Sequence, residues 1–276
     1  MNQVFTAPTD TTRWDSSVMK LNVETQVILD NISANILKQV PQHMPYGESP
    51  QHYALVGGGW SLEDTFEELR DLYFGGVKLI ALNGAGSWLM ERNLKPSMQI
   101  VMDARPQNLT FVEKPIPGCR YFLASQTHPS LFDACEGRDV RIFHVISSLA
   151  EEERKILDEF YDKRWIQIPG AGTIGVVGIM LCRTLGFKFQ HLFGFDSCYA
   201  PDGRHHAYAQ KMNEGEGSAY FWCAGRRFKC AAWQASQADN FLKVIKHHGD
   251  VLQLEIHGDG LLAHILKTGA ELKLEE

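Results

Sequence analysis

Between residues 53 and 196 the chain alternates short apolar runs with stretches of helical period. The runs are YALVG, KLIALNG, MQIVMDA, RYFLAS, VRIFHVI, WIQIP and FQHLFGFD. Most carry few polar residues, as strands covered on both faces require, whereas a half-exposed strand would alternate polar and apolar positions. After the first run, Phe66, Leu69, Leu72 and Tyr73 recur at helical spacing and Gly75-Gly76 close the segment. Strands alternating with helices predict βαβ units, so the fold class is α/β: a Rossmann-like, mostly parallel sheet flanked by helices. Such sheets bind ligands at the carboxyl ends of their strands.

The first 50 residues read differently. A polar lead is followed by Val23, Val27, Ile28, Ile32 and Ile36 at helical spacing, and the proline-rich PQHMPYGESPQ then breaks the pattern. This predicts a helical extension over 1–50 and a Rossmann-like domain over 51–276. Beyond Asp196 come a polar loop (SCYAPDGRHHAYAQKMNEGEGSAY), a helical segment around CAAWQASQADNFLKVIKHHG, and VLQLEIHGDGLLAHIL. No internal repeat or low-complexity tract interrupts them.

Composition narrows the partners. Twenty-seven basic against 33 acidic residues give a net charge of −6 without long runs of either sign, which argues against a nucleic-acid partner. The six cysteines form no CxxC pair and read as small core residues of a protein in a reducing compartment. The N-terminus lacks the basic and apolar regions of a signal peptide, and no apolar stretch approaches the roughly 18–20 residues of a membrane span. These features predict a cytoplasmic protein and leave an oligomer open.

Chemistry gathers at the predicted strand ends. The first strand runs into Gly57-Gly58-Gly59, and Ser61 with Asp64 three residues on has the form of a capping box opening a helix. Glycines followed by a helix N-terminus can cradle a phosphate, or can form only the tight turn that many α/β proteins need. The turn is neither a P-loop nor a dinucleotide fingerprint, because no Gly-Lys-Ser/Thr follows and Leu62 occupies the third glycine position. Gly170, Gly172 and Gly175 do fit G-x-G-x-x-G, with Asp196 21 residues beyond Gly175, so an NAD site is one reading and close helix–sheet packing the other. Thr173 could bond a phosphate or sugar there. Asn83 and Asp103 each follow an apolar run. Asn83 is either a ligand contact or a turn cap, and Asp103 either pairs with Arg105 or binds Mg²⁺ or a ribose. His205 and His206 lie in the loop after Asp196, as a base-carrying lid or as solvated side chains. His128 is a further strand-end candidate, while His247 and His248 suit a helix C-terminus. No zinc spacing or hydrolase elbow is present, and Mg²⁺ is the metal the carboxylates admit.

Three blocks, ALVGGGWSLED, IALNGAGSWLMERNLKPSMQIVMDARP and GAGTIGVVGIMLCRTLGFKFQHLFGFDSCY, resemble in order and spacing the 6-hydroxymethylpterin diphosphokinase MptE-like family over about residues 53–200. That Rossmann-like group is related to the motility-associated glycosyltransferases and, more remotely, to bacterial sialyltransferases, and HHAYAQ is similar to the His-Ala pair of the glycosyltransferase-like relatives. Trp60 departs from the family, which commonly has proline there. The resemblance implies a nucleotide-binding transferase. As a diphosphokinase, Gly57–Gly59 and the following helix start, with Ser61, would hold the phosphates, Asp103 or Asp196 would hold Mg²⁺, and a pterin-like hydroxyl would attack the β-phosphorus. As a glycosyltransferase, the same turns would hold a nucleotide-sugar, Asn83 would contact it, and His206 would deprotonate the acceptor hydroxyl. A non-catalytic nucleotide-binding module is the third reading.

Overall fold

A computed structural model of the chain describes residues 11–13, 23–146, 150–168, 173–208 and 217–275. The elements run β1 (Thr11–Arg13), α1 (Thr25–Ile36), β2 (Ser49–Val56), α2 (Ser61–Asp64), α3 (Phe66–Phe74), β3 (Lys78–Leu82), α4 (Ala85–Glu91), β4 (Met98–Val101), β5 (Arg120–Ala124) and α5 (Pro129–Ala134). They continue with β6 (Val140–Val145), α6 (Ala150–Tyr161), β7 (Gln167–Ile168), α7 (Ile174–Thr184), β8 (Phe187–Phe193), β9 (Ser218–Cys223), β10 (Arg226–Ala231), α8 (Ala232–His248), β11 (Gln253–His257), α9 (Leu261–Thr268) and β12 (Lys273–Glu275).

Eight strands form a parallel sheet in the order β11-β8-β2-β3-β4-β5-β6-β7, the Rossmann-like architecture expected from the apolar runs. Alternate residues of each run divide between two cores, as the period of two along a strand demands. Tyr53, Leu55, Ile80 and Leu82 face α7 and α8, while Ala54, Val56, Leu79 and Ala81 face the other side beneath Leu62, Leu69 and Trp88. Farther along that second face, Val101, Tyr121, Leu123 and Ile142 pack with Ile28, Ile32 and Ile36 of α1.

The helix of the first 50 residues therefore shares the sheet's core. Its Asn31 and Asn35 are buried, and Asn35 Nδ2 donates to the carbonyls of Ser125 (2.9 Å) and Thr127 (2.6 Å) just beyond β5. His43 N–H donates to the Ile142 carbonyl, so the segment after α1 also lies along β6. The expected boundary at residue 50 falls inside β2.

A second sheet was not legible in the sequence. Antiparallel β1, β12, β9 and β10 form it, with the β9–β10 hairpin turning at Ala224-Gly225, both at positive φ. Phe221 and Phe228 fasten this sheet to the α7–α8 side of the main core. Among the described residues all six cysteines are buried and unpaired with one another, and no helix is long and apolar enough to cross a membrane.

Candidate active site

The strand order has one reversal. From β2 the chain steps outward through β3 to β7, then crosses back to place β8 on the other side of β2, and later adds β11 beyond it. Connections leave β2 and β8 in opposite directions, and the crevice outside the carboxyl ends of the strands at such a reversal is where open α/β sheets bind ligands.

Gly57–Gly59 end one wall of that crevice and Gly194–Asp196 the other. They interlock: Gly57 N–H donates to Phe193 O (2.8 Å) and Gly59 N–H to Gly194 O (2.9 Å). A Cβ on Gly57 would lie 2.8 Å from Gly194 O, and one on Gly59 would lie 2.3 Å from Asp196 Oδ2 and 2.6 Å from Gly194 O. Two of the three glycines are thus required by the approach of two strand ends. The amides of Gly58 and Trp60 take no part in that interlock.

Ser61 and Asp64 do not form the expected capping box. Trp60 occupies the N-cap of the four-residue α2, no side chain of the segment caps it, and Asp196 Oδ2 accepts the Ser61 N–H at 2.9 Å from the end of β8. Asp196 is 3% exposed, and burial pushes its carboxyl up to about 6 although the Ser61 N–H favours the charged form.

The loop after Asp196 folds over the turn. Ala207 N–H donates to Gly58 O (3.0 Å), and His206 Nδ1 lies 3.0 Å from the same carbonyl. A carbonyl only accepts, so Nδ1 carries the proton and the acceptor role passes to Nε2. Desolvation, with His205 beside it, lowers His206 to about 4 and keeps the imidazole neutral. His206 packs edge-on against His205 (4.4 Å between centroids) and lies parallel to Trp233 at the start of α8 (6.0 Å, 11°). Tyr208 reaches the turn after β3, where a Cβ on Gly84 would meet its ring at 3.5 Å. The described part of this loop thus lies over the ends of β2 and β3, and Trp233 and Tyr208, which the sequence did not single out, stand beside it.

Asn83, at φ 48°, joins β3 to β4: its N–H donates to Ile100 O (2.8 Å) and its Oδ1 accepts from Met102 N–H (3.4 Å). Asp103 is held by Arg105, whose Nε lies 3.0 and 3.1 Å from the two carboxylate oxygens. Asp103 is thus ion-paired, and Asp196 is buried on a helix start. Arg105 takes both oxygens of Asp103, the Ser61 N–H takes Oδ2 of Asp196, and among the described residues neither carboxylate belongs to a cluster spaced for a metal, so this pair does not fit a preformed Mg²⁺ site. His128 is the N-cap of α5, its Nδ1 accepting from Ser130 N–H, and His247 Nδ1 lies against the Lys243 carbonyl in the last turn of α8.

Gly170 and Gly172 lie outside the described residues. Gly175 stands in α7 where a Cβ would meet Gln237 Nε2 at 2.4 Å and the Phe195 ring at 3.2 Å, a close-packing role that also places the start of α7 beside the end of β8. Thr173 is the α7 N-cap residue, and its Oγ1 is buried without a hydrogen-bond partner among the described residues. Ser197 Oγ and His205 Nδ1 share that condition at the same sheet edge, and buried polar atoms are rarely left so. The dinucleotide geometry fails on topology: the strand after the motif's helix, β8, is separated from β7 by five strands, whereas the fingerprint needs neighbours.

Residues 27–202 match the sequence profile of a family described as "6-hydroxymethylpterin diphosphokinase MptE-like". No curated protein matches the chain in sequence. Among solved structures, the MAf glycosyltransferase from Magnetospirillum magneticum AMB-1 superimposes with a TM-score of 0.56 at 13% identity, over 89% of this chain and 42% of that one. The chain thus spans less than half the length of that enzyme, and the likeness is one of fold. A mammalian sialyltransferase is similar at a TM-score of 0.43 and 12% identity, over 89% of this chain and 91% of that one.

Proposed function

The chain belongs to the 6-hydroxymethylpterin diphosphokinase MptE-like family, and from that premise we propose that it is a nucleotide-dependent transferase acting on a hydroxyl acceptor in the β2–β8 crevice. The observation carrying this reading is that the glycine turn and the His206 loop meet at the sheet's reversal, joined at the Gly58 carbonyl.

The donor's phosphates would lie over the turn and draw on the Gly58 and Trp60 amides, which the interlock does not use, with the Thr173 hydroxyl as a further donor from α7. His206 Nε2, neutral and oriented by the Gly58 carbonyl, would take the proton of the acceptor hydroxyl. In the reading that follows the family description, the acceptor oxygen attacks the β-phosphorus of a nucleoside triphosphate and the nucleoside monophosphate leaves. Mg²⁺ would supply charge neutralisation to that reaction, and it would have to come with the nucleotide.

A second reading, sugar transfer from a nucleotide-sugar, is favoured by the engagement of Asp103 with Arg105 and of Asp196 with Ser61. There the acceptor oxygen attacks the anomeric carbon and the nucleotide leaves.

Thermal unfolding with ATP, CMP and UDP, each with Mg²⁺ and with EDTA, separates the readings. A ligand at a hundredfold excess over its Kd stabilises by about 2.7 kcal/mol. Stabilisation by ATP only with Mg²⁺ supports diphosphate transfer, and stabilisation by CMP or UDP in EDTA supports sugar transfer. No stabilisation by any nucleotide would overturn both.

A further inference from the structure

Beside the crevice, the β11 edge of the sheet beneath α3 carries a cluster that the transferase reading leaves unused. His191 of β8 and Glu255 of β11 are register partners, and His257 follows two residues on, so all three project from one face. His191 Nδ1 lies 3.1 Å from Glu255 Oε2 and 3.2 Å from His257 Nε2. One ligand atom from each residue fits within 4.8 Å of the others. Four ligand atoms around a tetrahedral Zn²⁺ with bonds of about 2.0–2.1 Å stand about 3.3 Å apart. The two closest separations match those edges.

The outer contacts complete the pattern. A histidine that binds a metal through one ring nitrogen usually donates the other N–H to a carboxylate or similar acceptor, which fixes tautomer and orientation. His257 Nδ1 lies 2.8 Å from Glu68 Oε2 of α3, and His191 Nε2 lies 2.9 Å from His52 Nδ1 of β2. Both histidines thus have their non-ligating nitrogens held. Phe193 stacks on the His257 ring at 4.0 Å and Phe189 on His52 at 4.7 Å, which gives the cluster apolar walls. Glu255 is 65% exposed in its side chain while His191 is 10% exposed, so the cluster opens to solvent on the carboxylate side.

We propose that His191, His257 and Glu255 bind a divalent cation of the zinc class, with Glu68 and His52 orienting the two imidazoles and water in the remaining position. Two imidazoles and one carboxylate form a donor set suited to Zn²⁺ or Co²⁺ and poorly suited to Mg²⁺. The ion would tie the edge strand β11 to β8, and through Glu68 to α3. The residues after His257 then brace the crevice: a Cβ on Gly258 would lie 2.6 Å from Ser61 Oγ, and one on Gly260 2.5 Å from the Asp196 Cα. The site stands independently of the transferase reading.

The test uses the whole chain, stripped with a chelator and titrated with Zn²⁺ against a chromophoric competitor, with Co²⁺ as the spectroscopic probe. One equivalent should bind, and Co²⁺ should show the intense d–d bands of a four- or five-coordinate site. Glu255→Gln and His257→Gln should each weaken binding at least tenfold. Glu68→Gln, which touches no ion, should weaken it about 10–100-fold. The glutamate variants alter exposed carboxylates, so their folding can be verified independently. Absence of a tight equivalent in the parent chain overturns the proposal, as does an equivalent that survives unchanged in folded Glu255→Gln and Glu68→Gln.

Discussion

A methyl group on Gly59 would fall 2.3 Å from one oxygen of Asp196, a distance that packed atoms do not tolerate. Gly59→Ala should therefore force apart the ends of β2 and β8 and cost about 1–3 kcal/mol, read as a lower midpoint in a denaturant titration. The glycine run itself was legible as a turn or a cradle. The demand of Gly194 and Asp196 for two of its glycines was not, because those residues lie more than 130 positions away and meet the turn only through strand pairing. His206 carries the corresponding prediction for chemistry. With its imidazole lowered to about 4 by burial, kcat/KM should show no acid limb near 6.5 and should fall only as pH approaches 4. His206→Ala should abolish turnover and leave nucleotide affinity within a fewfold. An unchanged rate in that variant removes His206 from the reaction. The sequence marked the His205-His206 pair but could not orient it, since the orientation depends on the Gly58 carbonyl.

At the scale of elements, apolar periodicity located seven of the eight parallel strands, β2 to β8, because strands buried on both faces leave a nearly uninterrupted apolar record, and it did not mark the half-exposed edge strand β11. It missed β9 and β10. Their hairpin turns at Ala224-Gly225 rather than Asn-Gly, and its closing CAA run continues directly into α8. Helix caps were read locally and failed where the cap is remote: Ser61 and Asp64 have capping-box spacing, yet the carboxylate that meets Ser61 N–H comes from Asp196. The stripe of Ile28, Ile32 and Ile36 correctly gave α1, but Asn31 and Asn35 on the same face disguised how deeply it docks. Those asparagines replace strand-end hydrogen bonds that nothing else in the packed layer supplies. Asn35→Ala should leave the carbonyls of Ser125 and Thr127 unpaired in the core and cost about 1–3 kcal/mol. Equilibrium unfolding would measure it, and a loss below a few tenths would mean that α1 is peripheral to the fold.

For the whole molecule, strand order was the least legible property, since each apolar run specifies a strand but not its neighbour. The return of β8 to the side of β2 makes the crevice, and groups that titrate are buried both there and toward the other end of the sheet. His43 and His144, near one another at β6, are lowered by burial to about 4 and about 3, as His206 is to about 4, and burial lowers His191 too. Histidines near 6.5 when unfolded bind protons in the unfolded chain first, so each contributes stability that is complete above about 6.5 and is lost as pH falls toward the folded value. Asp196 acts oppositely. Raised to about 6, it takes up its proton in the folded state first, and its contribution is complete below the unfolded value near 3.8 and lost as pH rises through about 6. Around pH 5, the protons that His43, His144 and His206 take up in the unfolded chain outnumber the one that Asp196 takes up in the folded chain, so stability falls with pH by a few kcal/mol per unit, on the order of 1 kcal/mol per unit for each excess proton. Denaturant titrations from pH 6.5 to 4.5 should show that decline. Asp196→Asn removes the opposing proton while keeping an acceptor for Ser61 N–H, so its decline should steepen by about 1 kcal/mol per unit. Parallel profiles for the two proteins would show that the Asp196 carboxyl does not take up a proton in the folded crevice in this range.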